Sequence, residues 1–577
     1  MKLILKYIFK YKTLLLLNIF AFLLIVCGEI YIPYLVGMKI IKSTGEKEFR
    51  NVFLILYLMV FLIICGNLIV NFCISKVASL VFQDLSTDLF KKIQTFSFIE
   101  MQQLGISALV SRSTYNVYQI MNFIITFYKT FIVAPITVII CFIIINNINP
   151  VLGYSIICSI PCFVIILLLI IRKNYFLSIQ QFTQLEEMNY KIRSSITGVK
   201  IIRSLNQEKN EEKKFDKINS HFTNLIIKLF TSIISIKPIF YLLLNMSILI
   251  TIKIGSCIIY DGTSVIGELY ICMTYNILIL SAILNFLLLF MMLPKVLIAL
   301  KKIQYLFNVK PSIQNNLPQF HKLETINKLE FKNVYYRYPN TNKSVLENIN
   351  LELNKSEVIA FVGKTGSGKT TLINLIPRLL DPIKGVVEIN GIDIRNYDVQ
   401  NLRSKIGFVS QKNILFKGTI FSNLLFGKEN ATSEEMLEKA KIAQSYEFIQ
   451  NKTAKIHEPI SELGSNLSGG QKQRLSITRV LLKQPDVYIF DDSFSALDYE
   501  TDLAIRKVFF DQNKEVIILI VAQRLNSILN ADKIVVLDEG KIVSVGKHEE
   551  LMLKCSVYQN IASSQKIKEV LKNAKNI

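Results

Sequence analysis

The eight residues Gly363–Thr370, GKTGSGKT, have the residue types and spacing of a phosphate-binding loop. They follow a strand-like apolar run at 358–362 and precede a helix-like run that starts at Thr371. Glycines let backbone N–H groups close around phosphate oxygens, while Lys369 can reach the terminal phosphates and Thr370 can ligate Mg²⁺. The residues expected to bind nucleotide here are Gly363, Lys364, Thr365, Gly366, Ser367, Gly368, Lys369, Thr370 and Thr371.

A second motif, LSGGQ at 467–471, stands where a helix is expected to begin. Its serine and two glycines offer hydroxyl and backbone donors to phosphate at a helix N-terminus. Together with the following run at 472–476, the motif resembles the signature of ATP-binding cassette (ABC) proteins, and the resemblance extends over nearly the whole chain. It implies that ATP and Mg²⁺ are bound, with a signature formed by Ser468, Gly469, Gly470 and Gln471.

The same resemblance assigns roles to residues outside these two motifs. Tyr338 is similar to the aromatic residue that stacks on adenine, although a core tyrosine on an edge strand is an open alternative. Gln411 is similar to the Q-loop glutamine that senses Mg²⁺, and Asp491 to the Walker B aspartate that holds Mg²⁺. The segment 495–498 resembles the D-loop, which crosses to a partner subunit. The implied Mg²⁺ site therefore comprises Thr370, Gln411 and Asp491.

Two positions depart from the family's pattern. The glutamate that normally follows the Walker B aspartate and polarises the attacking water is replaced by Asp492, whose carboxylate is one methylene shorter. The histidine that normally holds the γ-phosphate is replaced by Gln523, which can donate a hydrogen bond but cannot become cationic. Asp492, Gln523 and Gln411 are the candidate catalytic residues, and turnover at this chain's own Walker site is expected to be weak.

An altered Walker site beside an intact signature resembles one subunit of a heterodimeric ABC exporter. The expected partner is a second half-transporter with glutamate and histidine at the two catalytic positions, whose competent site would use Ser468–Gln471 of this chain. A homodimeric exporter that hydrolyses ATP slowly is the first alternative. A nucleotide-gated channel, a regulatory membrane protein and an importer with the same fold are also open, and the substrate is unidentified.

The elements that must position these residues follow from the distribution of apolar side chains. Residues of hydrophobic type make up 51% of the 577-residue chain and crowd into its first 300 positions. The sequence predicts a multidomain membrane protein, with an all-α six-helix transmembrane domain at 1–310, a linker at 311–327 and an α/β P-loop ABC domain at 328–577. The six apolar stretches are 13–41, 52–75, 121–146, 151–171, 235–260 and 265–293.

The links between these stretches alternate in length. Tight turns are expected at 146–150 and 260–263, and long helical stalks of mixed charge at 76–120 and 172–234. An even number of spans puts both termini on one side, and the lysine-rich N-terminus places that side in the cytoplasm. The net charge of +22 fits this positive-inside bias, and no basic stripe interleaved with aromatic residues points to a nucleic acid. We therefore expect a multi-pass protein of the cytoplasmic membrane.

One acidic residue, Glu29, falls well inside the first apolar stretch. An ionisable residue within the bilayer is a functional candidate by default. Two interpretations are open: a cavity-facing acid that favours cationic or peptide substrates, or a structural partner of a polar group on a neighbouring helix. Lys129, Lys237 and Lys253 lie nearer helix ends, where a lysine reaches towards the membrane surface. Asn67, Asn71, Asn245 and Asn285 either line a transport path or hold helices together.

Overall fold

The computed structural model describes residues 2–41, 46–261, 265–315, 320–339, 341–495 and 497–565. The chain divides into two compact units: the first comprises residues 1–95 and 104–310, and the second comprises residues 96–103 and 311–577. The domain limits expected from sequence, at 310/311 and 327/328, remain predictions.

The first unit is built of helices, because continuous apolar stretches in a bilayer must satisfy their backbone hydrogen bonds internally. Among the described residues, six helical segments of this unit are long and apolar enough to cross a membrane, which confirms the six predicted spans. The helices up to the linker are α1 (Lys2–Ile8), α2 (Lys12–Leu35), α3 (Glu46–Gln94), α4 (Phe98–Leu104), α5 (Ile106–Ser113), α6 (Tyr115–Phe131), α7 (Val133–Ile148), α8 (Pro150–Thr197), α9 (Val199–Ser204), α10 (Glu208–Ile234), α11 (Ile236–Tyr260) and α12 (Ile266–Asn308).

Several helices run far beyond the roughly 20 residues that a bilayer requires. Helix α3 has 49 residues and α8 has 48, so both continue into the stretches of mixed charge that were predicted to form helical stalks. The turn predicted at 146–150 is shorter than expected, because α7 continues to Ile148. Asn149 alone leaves helical geometry, and its side chain accepts the backbone N–H of Val151 at 3.0 Å, capping α8. The turn predicted at 260–263 falls partly outside the described residues.

The second unit contains a six-stranded sheet in the order β12-β11-β3-β10-β9-β6, a four-stranded antiparallel sheet in the order β2-β1-β4-β5, and the pair β7-β8. Within the six-stranded sheet only β12 runs antiparallel to its neighbour. The strands are β1 (Lys328–Tyr336), β2 (Leu346–Asn354), β3 (Val358–Val362), β4 (Lys384–Ile389), β5 (Ile392–Asp393), β6 (Ile406–Val409), β7 (Gly418–Thr419), β8 (Pro459–Ile460), β9 (Val487–Asp491), β10 (Ile517–Val521), β11 (Lys533–Asp538) and β12 (Lys541–Gly546). The helices are α13 (Lys369–Leu375), α14 (Val399–Ser404), α15 (Ile420–Leu424), α16 (Ser433–Ile442), α17 (Tyr446–Gln450), α18 (Gly469–Lys483), α19 (Tyr499–Gln512), α20 (His548–Lys554) and α21 (Ser556–Ser564).

The central parallel strands are apolar along their length because helices cover both of their faces. All five residues of β9 and all five of β10 are buried. In register, Val521 pairs with Phe361 on one side and with Asp491 on the other. The carboxyl ends of β3, β9 and β10 therefore meet at one edge of the sheet, where ligands bind in open α/β folds.

The short stretch 96–103 belongs to the second unit and is anchored by a buried carboxylate. Glu100 is 8% exposed and accepts hydrogen bonds from the backbone N–H and the hydroxyl of Ser97, at 2.7 and 2.5 Å. It also accepts the backbone N–H of Ser312 at 3.1 Å, and the two serine hydroxyls lie 2.8 Å apart. Burial alone would raise the pKa of Glu100, but these hydrogen bonds prevail and lower it.

Candidate nucleotide-binding site

A cavity of about 300 Å³ lies where the three central strands end. Segments far apart in sequence form its walls, because the carboxyl ends of β3, β9 and β10 lie side by side. Most of the sequence-predicted site residues line it, namely Tyr338, Thr365, Gly366, Gly368, Lys369, Thr370, Thr371, Gln411, Asp491, Asp492 and Gln523.

The loop between β3 and α13 has a backbone that only glycine adopts readily. Gly366 and Gly368 have φ angles of +85° and +100°, in the left-handed region that disfavours other residues. A Cβ atom on Gly368 would lie 2.8 Å from the side chain of Leu346 and 2.9 Å from the carbonyl oxygen of Val345. The glycines therefore permit a tight loop that delivers the chain to the N-terminus of α13, where backbone N–H groups favour phosphate.

The ammonium of Lys369 is held inside this loop. Its Nζ donates to the carbonyl oxygens of Gly363 and Lys364, both at 2.8 Å, and to the hydroxyl of Ser367 at 3.3 Å. Burial lowers the pKa of Lys369, and the nearby carboxylates of Asp491 and Asp492 oppose that shift. These contacts place a cationic group at the cavity wall, within the loop that is expected to hold phosphate.

A hydroxyl and a buried carboxylate meet beside the loop. Thr370 Oγ1 donates to Asp491 Oδ1 at 3.2 Å, and Asp491 is only 3% exposed. Burial raises the pKa of Asp491, and the charge of Asp492 adds to that effect, while Thr370 and Lys369 act in the opposite sense. Hard oxygen donors of this kind are the ligands that Mg²⁺ prefers, so the residues present fit the predicted Mg²⁺ site.

Asp492 directly follows the buried strand β9 and has a constrained backbone. Its φ is +49°, its N–H donates to the carbonyl of Val521 at 2.9 Å, and its own carbonyl accepts the hydroxyl of Ser495 at 2.9 Å. Its Oδ2 lies 3.5 Å from Nε2 of Gln411, at the long limit of a hydrogen bond. Burial raises the pKa of Asp492, opposed by Gln411 and Ser495. The backbone of Asp492 is thus hydrogen-bonded through both its N–H and its carbonyl.

Gln523 lines the cavity and is tied to the end of the described chain. The side chain of Gln565 donates to the carbonyl oxygen of Gln523 at 2.6 Å and accepts the N–H of Leu525 at 2.9 Å. The same segment is bonded to a buried ion pair: Arg506 donates two hydrogen bonds to the carboxylate of Asp502 and further ones to the carbonyls of Asp502 and Ser527. Sequence reasoning did not identify Gln565, because no motif links two positions 42 residues apart.

Tyr338 lies two residues past the end of β1 and is half-buried at the cavity wall. Its hydroxyl is 3.2 Å from that of Thr371, and its ring meets the ring of Tyr336 edge-on with centroids 5.1 Å apart. Tyr336, not Tyr338, is the tyrosine buried in the core. The geometry leaves one side of Tyr338 facing the cavity, where an adenine ring could stack.

The signature lies apart from this cavity. Ser468 caps α18: its hydroxyl accepts the N–H of Gln471 at 3.3 Å, and the Gln471 side chain accepts the N–H of Ser468 at 3.1 Å. Ser468 and Gly469 are exposed, and Gly470 is partly exposed. None of the described residues that line the cavity belongs to the signature. In the D-loop, Ala496 lies outside the described residues, and Asp498 caps α19 through the N–H of Thr501 at 3.0 Å.

Comparison with known proteins places these features in one family. Residues 15–284 match the ABC transporter transmembrane region and residues 346–495 match the ABC transporter domain. The uncharacterized ABC transporter ATP-binding protein YfiB of Bacillus subtilis (strain 168) is 30% identical over 542 residues, which cover 93% of this chain and 94% of YfiB. A Staphylococcus aureus (strain NCTC 8325 / PS 47) protein, provisionally named a multidrug export ATP-binding/permease protein, is 30% identical over 84% of each chain.

The chain therefore belongs to the ABC transporter family and is a multi-pass membrane protein with an ABC ATPase domain. A solved structure, described as a bacterial Atm1-family ABC exporter with ATP bound, superposes with a TM-score of 0.83. It is 21% identical in sequence, and the match covers 94% of this chain and 97% of that one. This likeness shows that the chain has the fold of that exporter.

Proposed function

We propose that this chain is one half of an ATP-driven exporter and that its partner is a different half-transporter. Its own Walker site binds Mg-ATP but hydrolyses it slowly, and its signature completes the fast site of the partner. The observation that carries the proposal is the pair Asp492 and Gln523, which lines the same cavity as Lys369 and Asp491.

Asp492 stands where the family has a water-activating glutamate, and its carboxylate is one methylene shorter. Its backbone N–H is bonded to the carbonyl of Val521 at 2.9 Å, which opposes a shift of the chain that would make up the missing length. Its raised pKa reflects burial. When bound, Mg²⁺ neutralises charge that develops on the phosphoryl oxygens. Protein side chains must then position the attacking water, and the shorter carboxylate of Asp492 is expected to do so less well than a glutamate.

Gln523 is the second weakened catalytic group of this site. An amide can donate one hydrogen bond to a phosphate oxygen, but it carries no charge to stabilise the transition state. The side chain of Gln565 is hydrogen-bonded to the backbone of this loop at Gln523 and at Leu525. A nucleotide site that keeps its binding residues but has two weaker catalytic groups fits a role in holding ATP.

The intact signature supports the second half of the proposal. Its serine and glycines form a regular capped helix start that is exposed and outside this chain's own cavity. Such an exposed helix start can donate hydrogen bonds to a nucleotide that is bound by another chain. The alternative is a homodimer, in which the signature of each copy would complete the slow Walker site of the other copy.

The direction of transport and the orientation are parts of the same proposal. Export is supported by the name of the Staphylococcus aureus relative, which is provisionally described as a multidrug export protein. Lysines at positions 2, 6, 10 and 12 of the N-terminus support a cytoplasmic location for both termini.

The test compares two variants of the complex purified from membranes of the native host through a tag on this chain. Lys369→Ala disables this chain's own Walker site, whereas Ser468→Arg blocks the site that its signature completes. We expect Lys369→Ala to retain more than half of the ATPase activity and Ser468→Arg to lose more than nine-tenths, with Ser465→Arg as an exposed control outside the motif. Equal and near-complete loss in both variants would indicate a homodimer and contradict the proposal.

A further inference from the structure

The loop that carries Gln523 is held by a residue near the end of the described chain. Gln565 directly follows α21 and caps it, because its backbone N–H donates to the carbonyl of Ala562 at 3.3 Å. The helix is itself seated in the core, where Tyr558 and Ala562 are buried in the same apolar cluster as Leu525. The side chain of Gln565 therefore extends from a fixed backbone.

The amide of Gln565 fits the loop as a neighbouring strand would. Arg524 is extended, with φ −96° and ψ 120°, so the carbonyl of Gln523 and the N–H of Leu525, on either side of it, point the same way. Nε2 of Gln565 donates to that carbonyl at 2.6 Å, and its Oε1 accepts that N–H at 2.9 Å. One planar side chain thus satisfies two backbone groups and holds residues 523–525 extended.

The opposite side of Gln523 faces the nucleotide site. Burial raises the pKa of Asp492, and the backbone N–H of Gln523 is among the hydrogen-bond donors that oppose the rise. The N–H of the preceding residue, Ala522, donates to the carbonyl of Phe361 at 3.3 Å and so continues the sheet. Because the Gln523 side chain is exposed, its backbone sets the direction in which the amide enters the cavity, and Gln565 holds the outer side of that backbone.

The far end of the loop has a separate anchor. Arg506 donates to the carbonyl of Ser527, and Leu525 is fully buried. Loss of the Gln565 contact would therefore free residues 523 and 524 and leave the rest of the loop in place. The effect should appear in catalysis, where a displacement of about 1 Å can cost on the order of 10²-fold, and only weakly in the stability of the domain.

We propose that Gln565 is a positioning residue for ATP hydrolysis, which holds the carbonyl of Gln523 and thereby aims the Gln523 side chain at the γ-phosphate. The inference rests on one part of the proposed function, the assignment of Gln523 as the group that contacts this phosphate. It does not depend on whether the site is slow or fast. It gives the end of α21 an influence on chemistry at a position 42 residues away in sequence.

A double-mutant cycle tests this role, with hydrolysis of radiolabelled ATP followed in single turnover by the full chain in nanodiscs. Gln565→Ala should lower the hydrolysis rate about three- to tenfold, while the Kd for ATP changes less than about twofold. Gln523→Ala should lower the rate at least as much, because a positioning residue cannot contribute more than the group that it positions. In a chain that already carries Gln523→Ala, Gln565→Ala should change the rate less than about twofold.

Two further variants separate positioning from a general weakening of the fold. Gln565→Glu has nearly the same shape and can accept the N–H of Leu525, but its carboxylate cannot donate to the carbonyl of Gln523. It should therefore slow hydrolysis as Gln565→Ala does. Gln559→Ala, on α21, removes an amide that bonds the carbonyl of Met552 at 2.7 Å instead, and it should leave the rate unchanged.

Each rate is measured in the unaltered chain and in a chain with Asp492→Glu, which we expect to be the faster reference. Equal losses from Gln565→Ala with and without the Gln523 side chain would show a merely structural role and overturn the proposal. A rate unchanged by Gln565→Ala in both chains would also overturn it. If the unaltered chain is fast and Gln565→Ala still slows it, the slow Walker site is contradicted and the role of Gln565 stands.

Discussion

Replacing Asp492 and Gln523 by glutamate and histidine should speed hydrolysis at the Walker site that we propose to be slow. The perturbation is the double change Asp492→Glu with Gln523→His, made in the full chain and assayed as the purified protein alone. In a dimer of identical chains, both composite sites would then carry a full catalytic set together with the intact signature.

The magnitude follows from the geometry of Asp492. A methylene adds about 1.5 Å of reach, and the Asp492 carboxylate now lies 3.5 Å from Gln411, at the edge of hydrogen-bond distance. Misplacement of about 1 Å can cost on the order of 10²-fold, and a positioned base contributes about 10²–10⁴-fold. We therefore expect the double variant to raise kcat by about 10- to 100-fold with little change in the KM for ATP.

The assay is Mg-ATP hydrolysis in nanodiscs, with nucleotide binding measured on the same samples. Asp511→Glu, on the exposed face of α19, is the control for adding a methylene to a surface carboxylate, and it should leave kcat unchanged. Adding Lys369→Ala to the double variant should remove the gain. A double variant that binds ATP but is no faster than the parent chain would refute the claim that these two positions limit turnover.

Two further predictions concern structural contacts. Glu100→Gln should speed amide exchange at 96–103 and cost about 2–3 kcal/mol locally, because the Gln side chain cannot accept all of the serine hydrogen bonds. The pKa of Glu100 is lowered in the folded protein, so its carboxylate stabilises the fold fully above the ordinary pKa of 4.5, and this stabilisation is lost as pH falls through the lowered pKa. The difference in amide exchange between the parent chain and Glu100→Gln should therefore shrink in acid. A difference that stays constant with pH would contradict this. Gln565→Ala should speed amide exchange at 523–527 while ATP affinity changes less than twofold, because it removes the hydrogen bonds to Gln523 and Leu525. Gln559→Ala is the control, because the Gln559 amide bonds the carbonyl of Met552 and should leave that exchange unchanged. Equal effects of the two changes would refute the role of Gln565 in holding this loop.

The sequence was most informative where local spacing carries the chemistry. The loop at 363–370 and the signature at 467–471 combine fixed spacing with a strand or helix boundary, so both could be located before the structure was known. The six spans could be predicted because a bilayer imposes a minimum apolar length. The convergence of Gln411, Asp491 and Gln523 on one cavity follows from parallel strands that end at the same edge.

What could not be predicted depends on pairs of residues far apart in the chain. The hydrogen bond between Glu100 and Ser312 joins positions 212 residues apart, and the segment 96–103 belongs to the second unit. The contact of Gln565 with Gln523 depends in the same way on where α21 ends. Glu29 stands out in the sequence as an acid within an apolar stretch, but the side chains that share its cavity, Asn67 and Asn285 among them, come from other helices and could be identified only in the structure.

The measurement that tests the central claim most directly is Mg-ATP hydrolysis by the purified chain alone in lipid nanodiscs, with ATP binding confirmed in the same sample. We predict saturable ATP binding with a kcat at least tenfold below that of the Asp492→Glu, Gln523→His variant. A kcat on the order of 1–10 s⁻¹ for the unaltered chain, within the ordinary enzyme range, would show that Asp492 and Gln523 suffice and would contradict the account.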